Sequence, residues 1–227
     1  IAGVYIESSQ FEDIVVKETV NRKLKQEALT NIKKIFENYS RKTLIADVSL
    51  RTVSELANNL VENILSNDEI VVNLSDLKDH DDYTYSHSLS VAILSIMIGS
   101  HLGFGKRLLS DLACSALLHD LGKMRIDIKI LNKQDKLTEE ELSTMKKHPV
   151  IAYEHLKKSK ILPASVLDGV ESHHERYDGS GYPKGLEGNE IPLFARILAV
   201  ADVYDAITSN RAYRKAWFAN EAIEYMM

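Results

Sequence analysis

With one cysteine in 227 residues, no intrachain disulfide is possible, and that cysteine, Cys114, lies among Leu112, Leu117 and Leu118, where a buried, inert thiol is expected. A reducing, cytoplasmic setting follows as the expectation. Excess charge of either sign is also lacking. A net charge of −5 disfavours a general binder of nucleic-acid polymers or membrane surfaces, while leaving room for a local basic patch and a small anionic ligand. Long apolar runs are missing too: the best one, SLSVAILSIMIGSHLGF, is broken by serines, Gly99 and His101 and is shorter than the roughly 20 residues a spanning helix needs. No secretory signal is visible. The chain opens without Met and ends inside an apparent helix, ANEAIEYMM, so it reads as a piece of a longer protein, one free to be tethered to a membrane elsewhere.

No convincing strand pattern occurs after the first 16 residues, which read as strand or coil. Helical periodicity takes its place. Leu24, Ala28, Ile32, Ile35 and Tyr39 mark one helix, and Leu50, Val53, Ala57, Leu60, Val61 and Ile64 mark a second. These two form an N-terminal helical region, residues 1–75, whose amphipathic faces either pair with a second copy as a homodimer or pack on the chain's own core. Residues 76–227 read as the main domain. It begins with a helix apolar on nearly all sides from 86 to 102, followed by another from about 107 through DLACSALLHDLGK. Thr138 with Glu141 is a capping-box start, Pro149 must kink or divide the helix that follows, and Pro163 suits the beginning of the next. DGSGYPKGLEGNEIP is an ordered loop, and LFARILAVADVYDAITS restores the 3.6-residue period. The fold class expected is all-α, a compact helical bundle with an N-terminal helical extension.

Five of the eight histidines carry the chemistry: His87, His119, His148, His173 and His174, each on or at the end of an expected helix. Asp120 follows His119 directly, and Asp202 interrupts the apolar run ILAVADVYDAI, where a buried carboxylate needs a cation or hydrogen-bond donors. Imidazole with carboxylate suits iron, manganese or zinc, and without cysteine partners the set does not read as a structural zinc site. His101 and His155 read as core or surface histidines, and His80 as a loop residue.

The strings HDLGK at 119–123, HP at 148, HHERYDGSGYPKG at 173–185 and ADVYDAITSNRAYR at 201–214 resemble the HD-GYP family. That family is the cyclic di-GMP phosphodiesterase branch of the HD-domain metal-dependent phosphohydrolases. The resemblance covers about residues 80–225 and implies two transition-metal ions, iron or manganese. His87, His119, Asp120 and Asp202 would hold one ion, and Asp120, His148, His173 and His174 the other, with Asp120 as the bridge. Two such ions clamp a phosphate and activate water for an in-line displacement. Lys123, three residues after Asp120, would contact the scissile phosphate or help the leaving oxygen. Arg211 and Arg214 would bind the cyclic dinucleotide, Asp205 would pair with them or with Lys123, and Tyr182 would touch a phosphate or base or simply pack its loop. Where some members carry a glutamate that helps hold a third ion, this chain has Tyr83, so two metals are expected. The resemblance thus implies hydrolysis of cyclic di-GMP to linear pGpG, with either pGpG or GMP as the end product. The competing reading is a module that binds a cyclic dinucleotide, or a signalling protein at the GYP loop, without turnover.

Overall fold

The computed structural model describes residues 20–41, 46–66, 83–209 and 216–226. Ten α-helices occur among them: α1 (Arg22–Arg41), α2 (Asp47–Leu65), α3 (Tyr83–His101), α4 (Lys106–Leu118), α5 (Ile128–Leu131), α6 (Glu139–Met145), α7 (His148–Leu156), α8 (Ala164–Ser172), α9 (Leu193–Thr208) and α10 (Ala219–Met226). A 3₁₀ turn, Leu121–Arg125, follows α4. No strand occurs among the described residues beyond an isolated bridge between Asp178 and Glu187, in keeping with the all-α expectation.

The centre of the bundle is α3. Its serines as well as its apolar side chains are buried, Ser88, Ser90 and Ser95 among them, because α4 and α9 both pack against it and α1 and α2 also touch it. Gly99 lets α4 approach: a methyl group there would come within 2.9 Å of both Leu109 and Leu112. Helix α2 also lies on α4, while α8 packs on α4, α7 and α9. Each fully buried Leu or Ile in such an arrangement contributes about 1.5–3 kcal/mol. The thiol of Cys114, pushed up to about 12 by burial, is a packing group against Ser54 and Val53.

The N-terminal helices share this core. Ala28, Ile32, Ile35, Phe36 and Tyr39 of α1 and Leu50, Val53, Ala57, Leu60, Val61 and Ile64 of α2 belong to the same buried cluster as α3, α4 and α8. Of the two alternatives open to them, packing on the chain's own core is observed, so their apolar faces are occupied within the chain. The expected boundary between residues 75 and 76, the first 19 residues, and Arg211 and Arg214 lie outside the described residues.

Local chemistry sets the helix ends near the site. The helix expected to run through DLGK stops at Leu118, and the chain tightens into the 121–125 turn. Gly122 is required there, since a Cβ would lie 2.0 Å from the carbonyl oxygen of His148. Pro149 divides rather than kinks: α6, with its complete Thr138/Glu141 capping box, ends at Met145, and α7 restarts at His148. Pro163 immediately precedes α8.

Phe36, 1% exposed in α1, tests the shared core. Phe36→Ala should cost about 3–5 kcal/mol and shift one cooperative denaturant transition to a lower midpoint. A separate, earlier transition for α1 with the main transition unmoved would mean that α1 is an independent appendage.

Candidate metal centre

The five histidines and two aspartates expected from sequence converge from five elements. His87 comes from the first turns of α3, His119 and Asp120 from the end of α4, His148 from the first residue of α7, His173 and His174 from the end of α8, and Asp202 from α9. His87, His119, Asp120, His148 and His173 are all buried. Donor atoms of Asp120, His148, His173 and His174 lie within 4.8 Å of one another, as do those of His87, His119 and Asp202.

Asp120 sits between the two groups. Its Oδ2 is 3.8 Å from His87 Nε2 and 3.4 Å from His119 Nε2, and its Oδ1 is 3.3 Å from His148 Nε2. On the first side, His87 Nε2 is 3.1 Å from Asp202 Oδ1. On the second, the Nε2 atoms of His148 and His173 are 3.4 Å apart.

Tautomers decide what these distances mean. His119 Nδ1 lies 2.7 Å from the carbonyl of Ala116, His148 Nδ1 2.8 Å from that of Met145, and His173 Nδ1 2.8 Å from that of Val170. A carbonyl only accepts, so each Nδ1 donates its proton there, and as a metal ligand each ring would turn an Nε2 lone pair toward the centre. Lone pairs thus face carboxylate oxygens and one another. His119 Nε2 and Asp120 Oδ1 are buried without a hydrogen-bond donor among the described residues. Such an array of acceptors is stable only around cations, and these are the donors that suit divalent transition metals. The residues therefore fit metal ions.

Burial and neighbouring charge act on each group in a defined direction. Burial disfavours charge on His173, and the surrounding imidazoles of His174, His119 and His148 reinforce this, holding it well below its ordinary value. Burial also takes His174 down to about 4, against the opposing pull of Asp202. Both are neutral, as ligands must be. His87 differs: burial opposes its charge, but hydrogen bonds to Asp202 and Asp205 outweigh that and push it up to about 9. Asp202 is held low, by His87 against burial.

Three further expected residues are described. Lys123 Nζ reaches Asp120 Oδ2 at 2.6 Å, from the 3₁₀ turn rather than the α-helix expected. Tyr182 stacks on His174, with ring centroids 4.8 Å apart, and burial together with the charges of Asp120 and Asp202 raises its phenol. Asp205 is not paired with Lys123. It is buried behind His87, with Oδ2 2.7 Å from Nδ1, where it fixes that ring so that Nε2 faces Asp120 and Asp202. Its spacing from Asp202 marked a shared helix face, but not its partner 118 residues earlier. Lys146, passed over in the sequence, holds Nζ 5.3 Å above the Tyr182 ring; its place two residues before His148 was the signal.

The loop after the histidine pair is held by its own polar groups. Glu175, buried, accepts from the backbone N–H groups of Lys184 at 2.7 Å and Leu186 at 3.1 Å. Arg176 donates to Ser180 at 2.9 Å and Asp178 at 3.3 Å. Gly181 lies so close to this corner that a Cβ would fall 2.3 Å from the nitrogen of Arg176. Tyr182 is thereby presented to the site.

Comparison with known proteins places the chain among named relatives. The family model described as "HD domain" matches residues 54–227. A cyclic di-GMP phosphodiesterase of Pseudomonas aeruginosa is 42% identical over 76% of this chain and 42% of its own length. A cyclic di-GMP phosphodiesterase response regulator of Xanthomonas campestris is 46% identical over 57% of this chain and 35% of its own. A 3′3′-cGAMP-specific phosphodiesterase of Vibrio cholerae is 36% identical over 73% and 38%. The chain thus spans about two-fifths of the length of these relatives. Among solved structures, an HD-GYP-type protein of Bdellovibrio bacteriovorus shares the fold, with a TM-score of 0.74 at 24% identity over 96% of this chain and 69% of the other. The chain belongs to the HD domain family.

Proposed function

We propose that this chain hydrolyses the phosphodiester of cyclic di-GMP to linear pGpG, using two iron or manganese ions held by the histidine–aspartate cluster. The observation that carries the reading is Asp120, whose two oxygens face two separate groups of donors. His87, His119, Asp120 and Asp202 would hold one ion, and Asp120, His148, His173 and His174 the other. When bound, the ions supply Lewis-acid chemistry: they neutralise phosphate charge and make water a competent nucleophile at neutral pH.

The remaining work belongs to the chain's own side chains. Hydrolysis adds one water across a P–O bond, and the departing sugar oxygen must leave with a proton. Lys123 is partly exposed at the rim, anchored on Asp120, and is suited to contact the scissile phosphate or to stabilise that oxygen. Tyr182, fixed on His174, would border a phosphate or base. Arg211 and Arg214 bring guanidinium forks suited to phosphate oxygens and guanine edges. Asp205 would act through His87, holding its ring rather than touching the dinucleotide.

Relatives named for cyclic di-GMP and for 3′3′-cGAMP both stand at 36% identity or more. The mixed dinucleotide is therefore the second substrate to be compared.

Turnover of both dinucleotides, by protein loaded anaerobically with Fe(II) or with Mn(II), tests the assignment. Cyclic di-GMP should be cleaved, and Asp120→Ala should lower turnover by at least about three orders of magnitude, as losing a metal bridge implies. Binding without cleavage by the wild type would favour the non-hydrolysing module. Faster cleavage of 3′3′-cGAMP would reassign the substrate.

Metal uptake should depend on pH with a definite sign. His87 carries a proton up to about pH 9, and that proton competes with a cation, whereas neutral His173 and His174 impose no such competition at pH 7. Mn(II) affinity should therefore rise with pH, by up to about tenfold per unit on the approach to that value. Titration calorimetry in buffers of different ionisation enthalpy should detect the released proton; uptake without proton release would contradict the assignment of His87.

A further inference from the structure

Lys123 stands on five residues of 3₁₀ helix, a form with poorer internal hydrogen-bond geometry than an α-helix. The turn's position is therefore set by what grips it from outside. At its start Asp120 accepts from Lys123 Nζ at 2.6 Å. In its middle Gly122 lies against the backbone of His148. At its end the guanidinium carbon of Arg125 lies 4.6 Å from the centroid of the Tyr39 ring.

The third grip comes from α1, which precedes residues 54–227, the span matched by the HD domain model. Tyr39 is 1% exposed, and its hydroxyl is hydrogen-bonded to Nδ1 of His155 in α7, with the two rings edge to face at 5.4 Å. Tyr39 is thus fixed on the far side by the helix that begins at His148. Arg125 Nε and Nη2 are buried without a hydrogen-bond partner among the described residues. The half-buried guanidinium is held on Tyr39 by the face of the ring and by a hydrogen bond to its hydroxyl.

We propose that Arg125 and Tyr39 are positioning residues for Lys123: α1, by seating Arg125 on Tyr39, fixes the turn that carries the lysine to Asp120. In its catalytic consequence this rests on the hydrolysis proposed above; in its structural consequence it does not. A displacement of α1 would be transmitted to Lys123 through two side chains.

The test uses the full chain in two measurements. Amide hydrogen exchange in a peptide covering 121–126 should accelerate by about tenfold or more in Arg125→Ala and Tyr39→Leu, with peptides from α3 and α9 unchanged. Tyr39→Phe, which keeps the ring and loses the hydroxyl, should retain part of the protection and fall between wild type and Tyr39→Leu. Unchanged exchange at 121–126, or an increase spread evenly over the bundle, would overturn the proposal. Turnover supplies the second measurement. Arg125→Ala should lower kcat by about tenfold with KM little changed, yet add no loss in a Lys123→Ala background, because residues acting through one another are not additive. Losses that multiply in the double variant would show that Arg125 does not act through Lys123. If wild-type protein cleaves no cyclic dinucleotide, the functional reading falls and the exchange measurement alone decides the positioning claim. Should Arg125→Ala fail to fold, Arg125→Lys and Tyr39→Leu carry the same comparison.

Discussion

The site depends on a conflict between acceptors. Three imidazoles donate Nδ1–H to carbonyls in the turn before them, so their Nε2 lone pairs have nowhere to point but inward. There they meet one another and the carboxylate of Asp120. Without positive charge at the centre this arrangement is repulsive and desolvated. With cations it becomes a ligand set whose orientation is already prepared by the backbone. Asp205 does for His87 what a carbonyl does for the others, and hydrogen bonds to Asp202 and Asp205 together outweigh burial, which accounts for the different protonation of His87.

This requirement explains where the helices end. His119, His148 and His173 all occupy helix termini, where a ring can fold back on a carbonyl three residues earlier and still reach the centre. Pro149 and Gly122 enforce two of these breaks, one by opening α7 and the other by allowing the 121–125 turn to touch it. The all-round burial of α3 places His87 at the middle of the bundle. Helices α1 and α2 complete the enclosure instead of standing apart from it. Electrostatics follow from the same enclosure: burial keeps His173 and His174 neutral.

Much of this was legible in the residues themselves. The 3.6-residue recurrence of Ala28, Ile32, Ile35 and Tyr39 marked α1, and the Thr138/Glu141 pair marked the start of α6. The adjacent histidines and the aspartate inside an apolar run pointed to a buried polar centre, because such residues are too costly there without a partner. Pairings across long separations were not legible. That Asp205 meets His87, or that Tyr39 meets both Arg125 and His155, depends on how helices are stacked, and periodicity reports only which face is apolar. His155 looked like a routine core or surface histidine for the same reason. The end of α4 was also hidden, since HDLGK continues a helical pattern and only the approach of His148 shows why Gly122 breaks it.

The account stands or falls on cations lying either side of one carboxylate. Anomalous scattering from crystals loaded with Mn(II) or Fe(II) measures this most directly. Two peaks are expected, one among His87, His119 and Asp202 and one among His148, His173 and His174, with Asp120 reaching both. A single peak, or metal bound away from Asp120, would contradict it.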